Sequence, residues 1–153
     1  MSTLQEGSKA PAFTAKDQNG NTITLDQFKG KKVVLYFYPK DDTPGCTAEA
    51  CDFRDNYQGL QAKGIEVLGV SVDDEKSHQK FITKHNLPFT LLADTDKQIV
   101  ESYGVWGEKN MYGKKYMGTN RATFVIDEEG NIAHIIKKVD TKNATAQVLE
   151  LLG

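Results

Sequence analysis

The chain has 153 residues, which suits one domain able to bury a self-sufficient core. Hydrophobic residues make up 39% and charged residues 26%, a folded balance and not a disordered one. Nineteen basic residues against 21 acidic ones give a net charge of -2, so no general field draws the chain to nucleic acid.

In chain order, Asn19-Gly20-Asn21 separates Phe13-Thr14-Ala15 from Thr22-Ile23-Thr24-Leu25 and predicts an opening β-hairpin. Leu25–Phe28 reads as a single helical turn closed by Gly30. Val33-Val34-Leu35-Tyr36-Phe37-Tyr38 is β-branched and aromatic throughout, as a strand covered on both faces should be. Pro39 ends it. Thr43-Pro44 is a helix start, with Thr at the N-cap and Pro at the first helical position, and the helix runs to about Gly59. A strand over Ile65–Val72 and a helix over Glu75–His85 follow. Phe89–Leu92 is extended, and Asp96–Tyr103 reads as a helix. Trp106–Gly118 reads as a long aromatic loop, with Met111, Tyr112, Tyr116 and Met117, that borders the approach to a site, forms part of a partner surface or simply covers the core, with the first slightly favoured. Ala122–Ile126 and Ile132–Lys138 form a second hairpin, and Ala144–Leu152 a last helix. The expected class is α/β: a mixed sheet flanked by helices, with an N-terminal β-hairpin addition, compatible with a thioredoxin-like fold.

The N-terminus, Met1–Gly7, has neither a basic start nor an apolar stretch, so no signal peptide is visible. The longest run of large apolar residues, Val33–Tyr38, is far too short to span a bilayer. The expectation is a cytoplasmic protein that binds neither membrane nor nucleic acid. Asn143-Ala144-Thr145 is read as a coincidental match to a glycosylation acceptor.

The chemistry concentrates on two cysteines. Cys46 falls in the first turn of the helix begun by Thr43-Pro44, where unpaired N–H groups and the helix dipole favour a thiolate. Cys46, Ala50, Phe53, Tyr57 and Leu60 form one helix stripe, so Cys46 faces the sheet. Cys51 lies about 140° around the helix, on the outer flank. An intact helix holds the two Cα atoms roughly 8.6 Å apart. A disulfide needs about 7 Å or less. Either the pair never bridges, or bridging unwinds the first turns.

Thr43 can place its hydroxyl beside the sulfur or cap the helix. Arg121, at the start of a strand, reads by itself as a solvated strand-end charge, though it can supply permanent positive charge to a thiolate. Pro39 limits solvent access, Glu49 could hydrogen-bond within the site but reads rather as an exposed helix glutamate, and Arg54 pairs with a nearby acid. The spacing of five misses the Cys-x-x-Cys of a disulfide reductase. His78 and His85 read as surface residues, and His134 has no visible partner. Asp94-Thr95-Asp96 reads as helix caps. No metal or cofactor is expected.

The segment Phe37-Tyr38-Pro39-Lys40-Asp41-Asp42-Thr43-Pro44-Gly45-Cys46-Thr47 resembles the active-site segment of the peroxiredoxins, thiol peroxidases with a thioredoxin fold. Their Pro-x-x-x-Thr-x-x-Cys pattern is met by Pro39, Thr43 and Cys46. A second cysteine five residues on, Cys51, resembles the bacterioferritin comigratory protein, or peroxiredoxin Q, subfamily. Tyr103–Gly107 and Arg121–Asp127 resemble that subfamily's later motifs. The resemblance implies Cys46 as the peroxidatic cysteine, attacking hydrogen peroxide or an alkyl hydroperoxide, and Cys51 as the resolving cysteine. It implies an intramolecular disulfide reduced by thioredoxin, or by a glutaredoxin in some relatives, and a monomer. The reading from a different class is a redox-switched binding module. It uses the same pair without turnover, so an enzyme would cycle with a reductant and a sensor would react once.

Overall fold

The computed structural model describes residues 4–152, apart from the side chain of Met111. Met1–Thr3 and that side chain, both used above, therefore lie outside the described residues. The strands are β1 (Thr14–Asp17), β2 (Thr22–Thr24), β3 (Lys32–Phe37), β4 (Ile65–Ser71), β5 (Thr90–Ala93), β6 (Trp106–Met111), β7 (Lys114–Thr119), β8 (Ala122–Ile126) and β9 (Ile132–Ile136). The helices are α1 (Pro44–Ala62), α2 (Glu75–His85), α3 (Gln98–Ser102) and α4 (Ala144–Leu152), with a 3-10 turn at Leu25–Phe28.

Seven strands form one mixed sheet in the order β2-β1-β5-β4-β3-β8-β9. β3, β4 and β5 run parallel because helices α1 and α2 carry the chain back between them. The hairpins β1–β2 and β8–β9 add antiparallel edges, the first through the pairing of Asp17 with Leu92. The opening hairpin therefore extends the sheet itself. Its turn is held by the Asp17 carboxylate, which accepts the N–H groups of Asn19 and Asn21 at 2.8 and 2.9 Å.

Alternation along β3 divides the core. Val33, Leu35 and Phe37 face α3, Tyr103 and the N-terminal residues Ala10 and Phe13. Val34 and Tyr36, with Tyr38 just beyond the strand, face Cys46, Ala50, Phe53 and Leu60 of α1, Phe81 of α2 and Val148 of α4. Gly69 in β4 is needed here for close approach: a Cβ at that position would lie 2.9 Å from the Tyr36 ring and 2.7 Å from Leu91.

Two expectations change. α3 is shorter than Asp96–Tyr103 because Lys97 adopts a left-handed conformation (φ 63°) and the helix begins only after it. Asp94 then accepts the N–H groups of Ile99 and Val100, a cap from outside the helix. The stretch from Trp106 is not a loop but the two-stranded hairpin β6–β7. Its turn residues Tyr112 and Gly113 both have positive φ (54° and 78°), as a type I′ turn requires. Tyrosine at the first of these positions is an uncommon turn residue, so no turn signal marked the place.

Candidate active site

Pro39 lacks the N–H that would continue the β3 ladder, so the chain leaves the sheet there. Tyr38 makes the last such bond, to the carbonyl of Val70 at 3.1 Å. The loop of residues 39–43 delivers the chain to Thr43, an extended N-cap residue (φ -87°, ψ 156°), and α1 begins at Pro44. Cys46 sits in the first turn, a free thiol with 1% of its surface exposed, at the end of the apolar stripe expected for it. Thr43 caps by position but not by side chain: its hydroxyl donates to the Lys40 carbonyl at 3.0 Å. Its oxygen keeps acceptor capacity for a further partner. Pro39 is half-buried.

β8 runs antiparallel to β3 with Ala122 opposite Phe37, which sets Arg121 beside the point where β3 ends. Its Nη2 donates to Cys46 Sγ at 3.1 Å and its Nη1 to Glu49 Oε1 at 2.7 Å. Glu49 is thus not the exposed helix glutamate the sequence suggested; its side chain is fully buried. The signal was present, since Glu49 stands one helix turn from Cys46, next to Ala50 on the buried stripe. Among the described residues its Oε2 has no hydrogen-bond partner. Burial raises the Glu49 pKa to about 7, against the opposing charge and hydrogen bond of Arg121. Burial works against the Arg121 charge too, but contact with Cys46 and Glu49 outweighs it and holds the guanidinium above its ordinary value. Gly45 keeps room for this arrangement: a Cβ there would meet Arg121 Nη2 at 3.3 Å.

Cys51 is half-buried and free, and α1 runs unbroken through both cysteines. The fold therefore does not bring the two sulfurs together. Arg54 bonds Asp55 at 3.0 Å, as expected of it, and also donates to the His85 carbonyl at 2.8 Å, tying α1 to α2. Asp52 accepts the Thr145 N–H at 2.8 Å, tying α1 to α4.

The surface reading of the α2 histidines fails for His78, which is fully buried against Asp41 of the loop, Nδ1 to Oδ2 2.7 Å. The helix stripe His78, Phe81, Ile82, His85 could have revealed its inward face. His85 is half-buried and meets Asp42 at 3.1 Å. His134 lies 3.9 Å from Glu6. The root of the β6–β7 hairpin, Trp106 and Gly107, lines a cleft of about 550 Å3 together with Asn120, Arg121 and Phe124; its tip residue Tyr112 is exposed. Among the described residues no group of three or more His, Cys, Asp or Glu is placed to hold a metal ion. Among the described residues no helix is long and apolar enough to cross a membrane.

Residues 7–135 match the AhpC/TSA family. The chain is 53% identical over 147 residues to a putative peroxiredoxin Bcp of Coxiella burnetii, covering 96% of this chain and 97% of that protein. It is 47% identical over 150 residues to peroxiredoxin Bcp of Bacillus subtilis, covering 98% and 96%. Among solved structures it resembles a cysteine-to-serine variant of peroxiredoxin Q from Xylella fastidiosa, with a TM-score of 0.93 and 30% identity over 99% of this chain and 97% of that one.

Proposed function

The chain belongs to the AhpC/TSA family, among the peroxiredoxins of the Bcp and peroxiredoxin Q kind, and from that premise we propose that Cys46 is its peroxidatic cysteine and Cys51 its resolving one. The observation that carries the reading is the Arg121 guanidinium at 3.1 Å from the Cys46 sulfur. A fixed cation there interacts favourably with a sulfur anion and with the charge that grows on a peroxide oxygen as the O–O bond breaks. Thr43, the N-cap residue three positions before Cys46, has an oxygen that can accept from a peroxide O–H, and with the half-buried Pro39 it supports the same assignment.

In the first step a lone pair of the Cys46 thiolate attacks the terminal peroxide oxygen. The O–O bond breaks, its electrons leave with the second oxygen, and that oxygen takes up a proton to depart as water or an alcohol. Sulfur is oxidised by two electrons to the sulfenic acid. In the second step the Cys51 thiolate attacks the Cys46 sulfur and expels the hydroxyl, which leaves as water, giving an intramolecular disulfide. That bond cannot form across the intact helix, so the first turns of α1 unwind to make it. Thioredoxin, a dithiol, returns both sulfurs to thiols. Because both cysteines lie on one chain, a monomer completes the cycle. Hydrogen peroxide and alkyl hydroperoxides are the substrates, and the cytoplasm is the compartment.

The test is one equivalent of hydrogen peroxide added to the reduced protein, read by intact mass beside Cys51→Ser. Wild type is expected to lose two hydrogens and the variant to gain one oxygen at Cys46. Addition of thioredoxin, its reductase and NADPH is then expected to give continuous turnover. If neither protein reacts promptly the assignment of Cys46 is wrong, and if both react once without turnover the chain is a redox-switched binding module.

A further inference from the structure

Resting on the assignment of Cys46 as the peroxide-reactive thiol, we propose that His78 and Asp41 are positioning residues for it: their buried ion pair pins the loop that delivers Cys46 onto α2. Asp41 stands five residues before Cys46, with only 4% of its side chain exposed. Three donors converge on its carboxylate. Tyr38 Oη reaches Oδ1 at 2.6 Å, while Ser77 Oγ and His78 Nδ1 both reach Oδ2 at 2.7 Å. Its own N–H donates to Asp73 Oδ2 at 2.8 Å, an oxygen that also accepts from Ser71 Oγ at 2.7 Å.

The other face of the imidazole makes the pair ionic. Nε2 of His78 lies 2.9 Å from the Leu92 carbonyl, so both ring nitrogens meet acceptors. A neutral imidazole carries one N–H and can satisfy only one of them; the imidazolium satisfies both. Removing either partner strands a buried charge. The rest of the loop is held by weaker means. The Asp42 contacts to Lys84 and His85 are more exposed, and Thr43 bonds back to Lys40 within the loop itself. The Asp41 carboxylate is the loop's buried anchor.

Geometry also sets the pH at which the anchor gives way. Burial works against the His78 charge, but the hydrogen bond and charge of Asp41, the Leu92 carbonyl and the charge of Asp73 outweigh it, so the His78 pKa is raised. Tyr38, at the end of β3, packs its ring 6.5 Å from the imidazole, and Ser77 is its neighbour on α2. A raised histidine contributes its full stabilisation below the usual histidine range and loses it as pH rises through the raised value. The loop should therefore loosen on the alkaline side.

The experiment uses the reduced full chain, with wild type, His78→Gln and the milder Ser77→Ala. Three quantities are followed across pH: the rate constant for Cys46 oxidation by hydrogen peroxide divided by the thiolate fraction from ultraviolet absorbance, amide exchange of residues 40–47, and the thermal midpoint. In wild type the rate per thiolate is expected to fall at alkaline pH. His78→Gln should lower it by about tenfold or more and flatten that fall. Exchange of residues 40–47 should quicken by a similar factor, beyond any change in β4 and β8. Ser77→Ala should move both readouts the same way by a smaller factor, and decides the matter if His78→Gln does not fold. A lowered midpoint with an unchanged rate per thiolate and pH profile overturns the proposal, leaving the pair a purely structural one. If wild type does not react with peroxide at all, the peroxidase assignment fails instead. Amide exchange and the alkylation rate of Cys46 by iodoacetamide then still decide whether the pair anchors the loop.

Discussion

Glu49→Gln separates the electrostatics of the site from its packing. The Glu49 carboxyl is fully buried, with one oxygen on Arg121 at 2.7 Å and the other without a hydrogen-bond partner among the described residues. Burial lifts its pKa from 4.5 to about 7 even though Arg121 pulls the other way. Between those two values the folded protein holds a proton that the unfolded chain has released, so stability falls as pH rises through that window. Below it both states are protonated and nothing is lost; above it both are ionised and the loss is complete. An interval from 4.5 to about 7 corresponds to about 3 kcal/mol.

Glutamine has nearly the same shape, keeps an oxygen to accept from Arg121, and cannot ionise. Plotted against pH, the unfolding free energy of Glu49→Gln minus that of wild type should therefore climb by about 3 kcal/mol from the acidic to the neutral side of the window. Any constant offset from the altered Arg121 contact moves the whole curve without changing its slope. Titrations elsewhere in the chain cancel in the difference. Urea unfolding of the reduced proteins, followed by far-ultraviolet circular dichroism at a series of pH values, measures it. Parallel curves across the window would refute the reasoning, because the buried carboxyl would then titrate alike in both states.

Gly45→Ala places a Cβ 3.3 Å from Arg121 Nη2, so the guanidinium must shift by a few tenths of an ångström. Peroxide oxidation of Cys46 should slow by about tenfold in single-turnover kinetics, with the thermal midpoint nearly unchanged. An unaltered rate would show that the 3.1 Å contact of Arg121 is not needed. Phe53→Ala removes a ring with no exposed surface, packed 4.9 Å from that of Tyr36, and should cost about 3–5 kcal/mol in urea unfolding. A loss below about 1 kcal/mol would mean that α1 does not depend on this stripe for its seat on the sheet.

Much of the architecture was legible because alternation and helix stripes report burial directly. The run Val33–Tyr38 announced a strand covered on both faces, and Thr43-Pro44 announced the start of α1. What escaped notice was polar burial. Residue type alone favours the surface for Glu49 and His78, although both occupy stripe positions that point inward. Their partners were harder still. Arg121 is 72 residues from Glu49, and His78 is 37 from Asp41, and no local pattern encodes those pairings. The β6–β7 hairpin was missed for a different reason. Its turn places Tyr112 where asparagine or glycine is the usual signal, and its strands bear too many polar residues to alternate visibly.

Two groups of contacts on either side of the cysteines bear on how the proposed disulfide could form without unravelling the domain. Ahead of the cysteines, Asp41 is fixed to α2 through His78 and Ser77. Behind them, Asp52 is fixed to α4 through Thr145, and Arg54 to α2 through the His85 carbonyl. The stretch between, residues 43–51, is held by its own helix bonds, by the burial of Cys46, Glu49 and Ala50, and by Arg121. Each helix bond released costs on the order of 1 kcal/mol, so unwinding two turns is unfavourable in the reduced protein and the helix persists. In the proposed cycle a covalent bond between the sulfurs would supply the drive, and the anchors on either side would confine the change to the turns that separate them. A spacing of five fits that division: it puts Cys46 beside Arg121 in the folded helix and leaves Cys51 one residue short of the first anchor behind it.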